Sequence, residues 1–227
     1  MRFGLKCAMT LAPLTVVGCQ ASVETDDQMM SYAVGREVGA SLTTTGEHLD
    51  LAALIRGIND ALAELDPAVS DEDLSAARLR VGQVIQEEQR AEGEAASERN
   101  LVEGEAYMAT NATKEGVETT DSGLQYEVLR QGDGGARPGA ADRVSIHYRG
   151  TLIDGTEFDS SYERGEPAVF GVGGVIGGFS EGLQLMTVGS HYRLVIPSDI
   201  GYGTQGAGEA IGPNATLVFE IELLEIL

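Results

Sequence analysis

The spacing of apolar residues changes once along this chain, and the change divides it. From Met30 to about Lys114 apolar residues recur at helical intervals. Met30, Ala33, Val34 and Val38 share one face, and Leu49, Ala52, Ala53, Ile55, Ile58, Leu62 and Leu65 form a broader one that stops near Pro67. A third helix is predicted to start at Ser70, which with Asp73 has the spacing of a capping arrangement. Its apolar face, Leu74, Ala77, Val81, Val84 and Ile85, thins into the charge-rich stretch Glu87 to Lys114. So polar a helix predicts a solvent-exposed spacer, weakened at Gly93 and Gly104 by about 1 kcal/mol each relative to alanine.

Beyond residue 120 the period becomes two. Leu124, Tyr126 and Val128 alternate with Gln125 and Glu127, and Val144, Ile146 and Tyr148 alternate with Ser145, His147 and Arg149. Tyr192, Leu194 and Ile196 share a face, as do Leu217, Phe219, Ile221 and Leu223. These are strands with one buried and one wetter face, as in an antiparallel sheet packed on one side. Phe179, Leu183 and Met186, at helical spacing, predict one short helix across that face. Asp154-Gly155 reads as a hairpin turn, and Pro167, Pro197 and Pro213 punctuate edges and loops. The layout is α+β: an all-helical region over 30–115 and a sheet domain over 120–227.

The first residues predict an address. Arg2 and Lys6 precede an apolar run from Ala8 to Val17, and Gly18 stands directly before Cys19, the pattern of a lipoprotein signal peptide over 1–18. A lipidated Cys19 followed by a flexible polar tether over 19–29 would anchor the protein to a membrane, each buried methylene contributing about 0.8 kcal/mol. Gln20, rather than Asp, after the cysteine points to the periplasmic face of an outer membrane. No later segment has the roughly 18 apolar residues of a spanning helix. Cys7 would leave with the signal and Cys19 would carry lipid, so no disulfide is expected. The net charge of -21 becomes -23 once Arg2 and Lys6 are lost, which argues against nucleic acid or anionic head groups as partners.

Candidate chemistry is sparse. Tyr148, Phe158, Phe170, Val175, Ile176, Phe179, Tyr202, Ile211 and Phe219 lie among glycine-rich turns, a combination that suits an apolar pocket better than covalent catalysis. Gly201 to Gly206 fits the GxGxxG string, but Gly208, Gly212 and Pro213 interrupt the helix that a dinucleotide fingerprint requires. His48, His147 and His191 lie in separate contexts with no thiolate beside them, so neither a metal nor a cofactor is expected.

Three segments carry a specific resemblance: Val144 to Ser161 (VSIHYRGTLIDGTEFDSS), Val175 to Leu183 (VIGGFSEGL) and Ala215 to Leu224 (ATLVFEIELL). In this order they resemble the FK506-binding-protein family of peptidyl-prolyl cis-trans isomerases over roughly 120–227. The stretch from about Met30 to Thr119 is similar to the helical dimerisation region of the bacterial macrophage-infectivity-potentiator and FkpA-like subgroup. The resemblance implies a twisted antiparallel sheet wrapped around a short helix, preceded by a homodimer-forming helical region and a long linking helix. It implies no cofactor and, as substrates, proline-containing unfolded or flexible polypeptides outside the cytoplasm.

Prolyl isomerisation breaks amide resonance and makes no covalent bond, so the enzyme must prefer the twisted amide to either planar form. The resemblance assigns Tyr148, Phe158, Asp159, Ile176, Tyr202 and Phe219 to catalysis and Phe170, Val175, Phe179 and Ile211 to substrate binding. Within that set, Phe179 would form the floor, the Ile176 N-H and Tyr202 hydroxyl would receive ligand carbonyls, and Asp159 would orient Tyr148 or meet the ligand. Phe179 stands where tryptophan is usual, Ala168 where another aromatic is common, and Gly212 replaces one proline of a Pro-Pro turn; these departures predict weak macrolide binding. The alternative reading is a chaperone or protein-binding module with little turnover, its cleft formed by paired helical regions.

Overall fold

A computed structural model describes residues 22–42 and 49–227. The segment expected to be a signal, over 1–18, and Cys19, expected to carry lipid, lie outside them, as does His48. The chain forms two compact units, residues 1–85 and 86–227, and the division falls inside a helix.

The first unit contains α1 (Asp26–Ser41), α2 (Leu51–Leu62) and the start of α3 (Asp71–Asn111). Thr25 caps α1 through a reciprocal pair with Gln28: its hydroxyl accepts from the Gln28 N-H at 3.3 Å, and the Gln28 side chain accepts from the Thr25 N-H at 3.0 Å. This box draws Asp26 to Met29 into the helix, so α1 begins earlier than the polar composition of a tether over 19–29 suggests. Asp50 caps α2, and Glu64 in the left-handed region (φ 52°) terminates the helical path short of Pro67. Ser70 caps α3, accepting from the Asp73 N-H at 3.1 Å and donating to the Asp73 carboxylate at 2.7 Å.

The second unit is built on β1 (Val117–Thr119), β2 (Gln125–Arg130), β3 (Arg143–Leu152), β4 (Glu157–Ser160), β5 (Ala168–Gly171), β6 (His191–Ile196) and β7 (Leu217–Ile226), with the short helices α4 (Ser161–Arg164) and α5 (Gly177–Leu185). Its antiparallel sheet runs β1-β2-β6-β7-β3-β4, with β5 also paired to β3. The long central pair β3 and β7 sets the frame, Tyr148 lying opposite Ile221 and Gly150 opposite Phe219. One face buries Ile146, Leu194, Ile196, Leu217, Ile221 and Leu223 against Leu183 of α5. The helix lies close because Gly178 and Gly182 have no side chains; a Cβ at 182 would come within 2.2 Å of Leu194. The opposite face is wet and charged, Arg193 donating to Glu220 at 2.7 Å and to Glu127 at 3.2 Å.

Two expectations need correction here. The C-terminal half of α3 is more than a spacer: Gly93, Ala96, Ser97, Asn100, Gly104, Tyr107, Met108 and Asn111 form a helical stripe that is half-buried or buried. Gly104 is a point of close approach, since a Cβ there would stand 2.3 Å from the Thr216 hydroxyl. In β2, the polar residue Gln125 is buried and Val128 is exposed, because the end of α3 covers the former. Asn111 donates to the Gln125 side chain at 2.9 Å, and Gln125 donates to the Met108 carbonyl at 2.9 Å. The amide can be buried because both of its ends are bonded.

Candidate active site

Strand β3 carries Tyr148 and Gly150 to the concave side of the sheet. Ser161, the first residue of α4, holds the Tyr148 peptide from both sides, accepting from its N-H at 2.8 Å and donating to its carbonyl at 3.2 Å. Gly150 lets two rings meet over the strand. A Cβ there would lie 2.6 Å from Phe158 and 2.7 Å from Phe219, whose rings pack edge to face at 5.5 Å. Phe179, from the first turn of α5, sits beneath them, with edge-to-face contacts to Phe219 at 5.0 Å, Tyr148 at 6.1 Å and Phe170 at 6.3 Å.

These rings surround an open cavity of about 650 Å³. The structure brings all ten residues singled out from the sequence to its lining: Tyr148, Phe158, Asp159, Phe170, Val175, Ile176, Phe179, Tyr202, Ile211 and Phe219. Gly174, Ala207 and Ala210 line it as well and escaped the sequence reading, having no side chain large enough to register in a pattern of apolar residues. Ala168 packs against the core from β5 and is not among the lining residues. His147, on the outer side of β3, stacks on Tyr162 at 4.8 Å and lies 3.0 Å from the Ser161 hydroxyl, away from the cavity.

Polar groups at one edge form a closed set. The Tyr148 hydroxyl donates to Asp159, while Arg164 donates to the Tyr148 oxygen at 2.8 Å and to Asp159 at 2.6 Å. The Arg164 guanidinium also sits 5.4 Å from the centre of the Tyr148 ring. Burial, followed by the Asp159 bond, raises the Tyr148 pKa above its ordinary value. Burial pushes Asp159 upward too, but the Tyr148 hydroxyl and Arg164 together overcome it and hold the carboxyl below its ordinary range. At neutral pH the tyrosine is therefore neutral and the aspartate charged, with the carboxylate already satisfied by protein donors. Arg164 was missed by sequence reasoning; a single arginine on a four-residue helix has no pattern to betray it.

A cavity walled by rings, placed where a sheet wraps a short helix, is the setting of a site that holds an apolar segment of another chain. Comparison with known proteins agrees. Residues 134–224 match the family described as FKBP-type peptidyl-prolyl cis-trans isomerase, and residues 27–128 match the domain amino terminal to FKBP-type peptidyl-prolyl isomerase. The chain is 47% identical to the FKBP-type 22 kDa peptidyl-prolyl cis-trans isomerase of Escherichia coli, over 90% of this chain and 97% of that protein. It is 36% identical to the outer membrane protein MIP of Legionella longbeachae, over 90% of this chain and 88% of that one. The crystal structure of FkpA from Escherichia coli superposes with a TM-score of 0.73 at 36% identity, covering 90% of this chain and 98% of that chain. The chain belongs to the FKBP-type peptidyl-prolyl cis-trans isomerase family, in the FkpA/MIP-like subgroup, and has the isomerase activity of that family.

Proposed function

We propose that isomerisation takes place in the aromatic cavity, with Tyr148, Phe158, Asp159, Ile176, Tyr202 and Phe219 acting on the bond and Phe170, Val175, Phe179 and Ile211 holding the proline and its neighbours. The observation that carries this reading is the convergence of six rings on one cavity whose edge carboxylate is already paired with Tyr148 and Arg164. Entry of an X-Pro segment strips water from the planar amide, whose larger dipole that water favours, and the ring walls fit the twisted form better. The Ile176 N-H, at the head of α5, and the Tyr202 hydroxyl receive carbonyls of the bound chain. Asp159 acts by fixing Tyr148 rather than as a base.

The reading is tested by a protease-coupled assay on a proline tetrapeptide. Phe158→Ala removes a wall and lowers kcat/KM at least about tenfold, equivalent to about 1.4 kcal/mol of transition-state binding. His147→Ala, outside the cavity, leaves it within about threefold. Full activity in Phe158→Ala with collapse in His147→Ala, both folded by circular dichroism, would replace the apolar pocket with a histidine mechanism.

The same proposal extends to assembly and address. Helices of the first unit leave Met30, Val34, Val38, Ile55 and Ile58 exposed, which supports a homodimer formed through the region 30–115. The leader over 1–18 and Cys19 support a lipid-anchored protein on the periplasmic side of an outer membrane, assisting the folding of proline-containing extracytoplasmic chains. Among the described residues no helix is long and apolar enough to cross a membrane. Cys19→Ser is expected to abolish lipid labelling and release folded protein. Macrolides are expected to bind weakly, because Phe179 offers less floor area than an indole and no N-H.

A further inference from the structure

The cavity wall that carries Ile211 is a loop with little support from the sheet. It leaves at Tyr202 and returns at Thr216, and two internal ties shape it: Ala207 and Ile211 exchange backbone hydrogen bonds at 2.8 and 3.1 Å, and the Asn214 N-H donates to the Gly203 carbonyl at 2.8 Å. Asn214 holds a left-handed backbone (φ 55°), a conformation that asparagine adopts more readily than other non-glycine residues. Two side-chain bonds join this turn to α3. The Asn214 side chain donates to the Ser97 hydroxyl at 2.8 Å, and the Asn100 side chain donates to the Pro213 carbonyl at 2.8 Å. Gly212 makes room for this, because a Cβ there would come 3.0 Å from the Asn100 amide. Below the two bonds, Gly104 packs against Thr216 at the loop's exit. Ile211, Ala207 and Ala210, between the ties, line the cavity.

We propose that Ser97 and Asn100 of α3 are positioning residues for the isomerase, acting through Asn214 and Pro213 to hold the Ile211 wall in its binding geometry. The inference rests on reading Ile211 as a wall of the substrate pocket. With the latch closed, the loop is ordered before substrate arrives. With it open, binding must order the loop, and the cost is met at the association step rather than in the bond rotation. Loss of the latch therefore raises KM and spares kcat.

The experiment uses the full chain with Asn100→Ala, Asn214→Gly, Ile211→Ala and, on an exposed face of α3, Glu98→Ala. Glycine accepts the left-handed backbone at 214, so Asn214→Gly removes the Ser97 bond without misfolding the turn. Isomerase kinetics are read together with the Ile211 δ1 methyl resonance in selectively labelled protein. Asn100→Ala and Asn214→Gly are each expected to raise KM about fivefold, the scale of one lost hydrogen bond, with kcat within about twofold. Both shift or broaden the Ile211 methyl while that of core Ile221 stays in place, and Glu98→Ala matches the parent. Raised KM in Ile211→Ala alone, with the two latch variants unchanged in KM and methyl spectrum, overturns the latch and leaves the pocket reading intact. An unchanged KM in Ile211→Ala removes Ile211 from the pocket and takes the latch with it. A lowered melting temperature with parental KM in the latch variants shows a docking contact only, and also overturns the proposal.

Discussion

The two units both carry apolar stripes and treat them in opposite ways. In the sheet domain Leu194, Leu217 and Ile221 are wholly buried, whereas on α1 and α2 Val34 is 60% and Leu51 67% exposed. Periodicity announces that a face is shaped for covering; it does not announce what covers it. Strands distant in sequence fold back on one another in the second unit, β7 lying between β3 and β6, so the chain supplies its own cover. Short helices such as α1 and α2 enclose little volume of their own, and in the homodimer proposed above a second molecule supplies the cover.

The sharpest way to break this comparison is to charge the exposed stripe. Val38→Asp combined with Ile55→Asp would bury two unpaired carboxylates from each chain in a dimer interface, at a cost of several kcal/mol. Sedimentation is expected to show a dimer become a monomer, with kcat/KM on a short peptide unchanged within about twofold. A parent that is monomeric at all concentrations would remove the dimer reading. Next in size is the core: Leu194→Ala is expected to destabilise the second unit by about 3 kcal/mol. Ile55→Ala, on the exposed stripe, should change monomer stability by less than about 0.5 kcal/mol. Similar losses from both in urea titrations of dilute protein would mean the first unit has a core of its own.

Within the second unit, Tyr148→Phe removes the hydroxyl that donates to Asp159 and accepts from Arg164, at a net cost of about 1 kcal/mol. It should lower kcat/KM about fivefold; a loss of several hundredfold would give that hydroxyl a direct chemical role. The smallest effect expected is that of pH. Asp159 has a folded-state pKa below its ordinary 3.8, so its contribution is complete above that value and is lost as pH falls through the lowered one. Tyr148, raised above 10.0, keeps its donor proton until pH climbs past its raised value. The pH profile of kcat/KM should therefore be flat from about 5 to about 9. A bell centred near neutrality would point to a titrating base that the cavity lining does not contain.

Much of the fold was legible because it follows from local rules. The Ser70 cap, the strand alternation of β3, β6 and β7, and the helical spacing of Phe179, Leu183 and Met186 each need only neighbours within a few residues. The candidate site was legible in its large side chains, since rings between glycine-rich turns and their likeness to a known family stand out in a string of letters. The misreadings have one origin. Gln125 reads as a solvent-facing polar residue, and Gly104 as a weak point, until the end of α3 is laid on the sheet; then Asn111 bonds the Gln125 amide and the glycine becomes the place where Thr216 fits.

By itself, then, the order of residues determined where most helices and strands occur, which faces are apolar, and that large rings cluster between glycine-rich turns in the second unit. Tertiary structure alone decided that Arg164 closes the Tyr148 and Asp159 set, that small residues Gly174, Ala207 and Ala210 complete the cavity, and that Ser97 and Asn100 reach the loop behind Ile211. The physical reason is range. Backbone propensity and burial periodicity are properties of a few consecutive residues, whereas a hydrogen bond between positions 113 or 117 apart exists only after the chain has returned to itself.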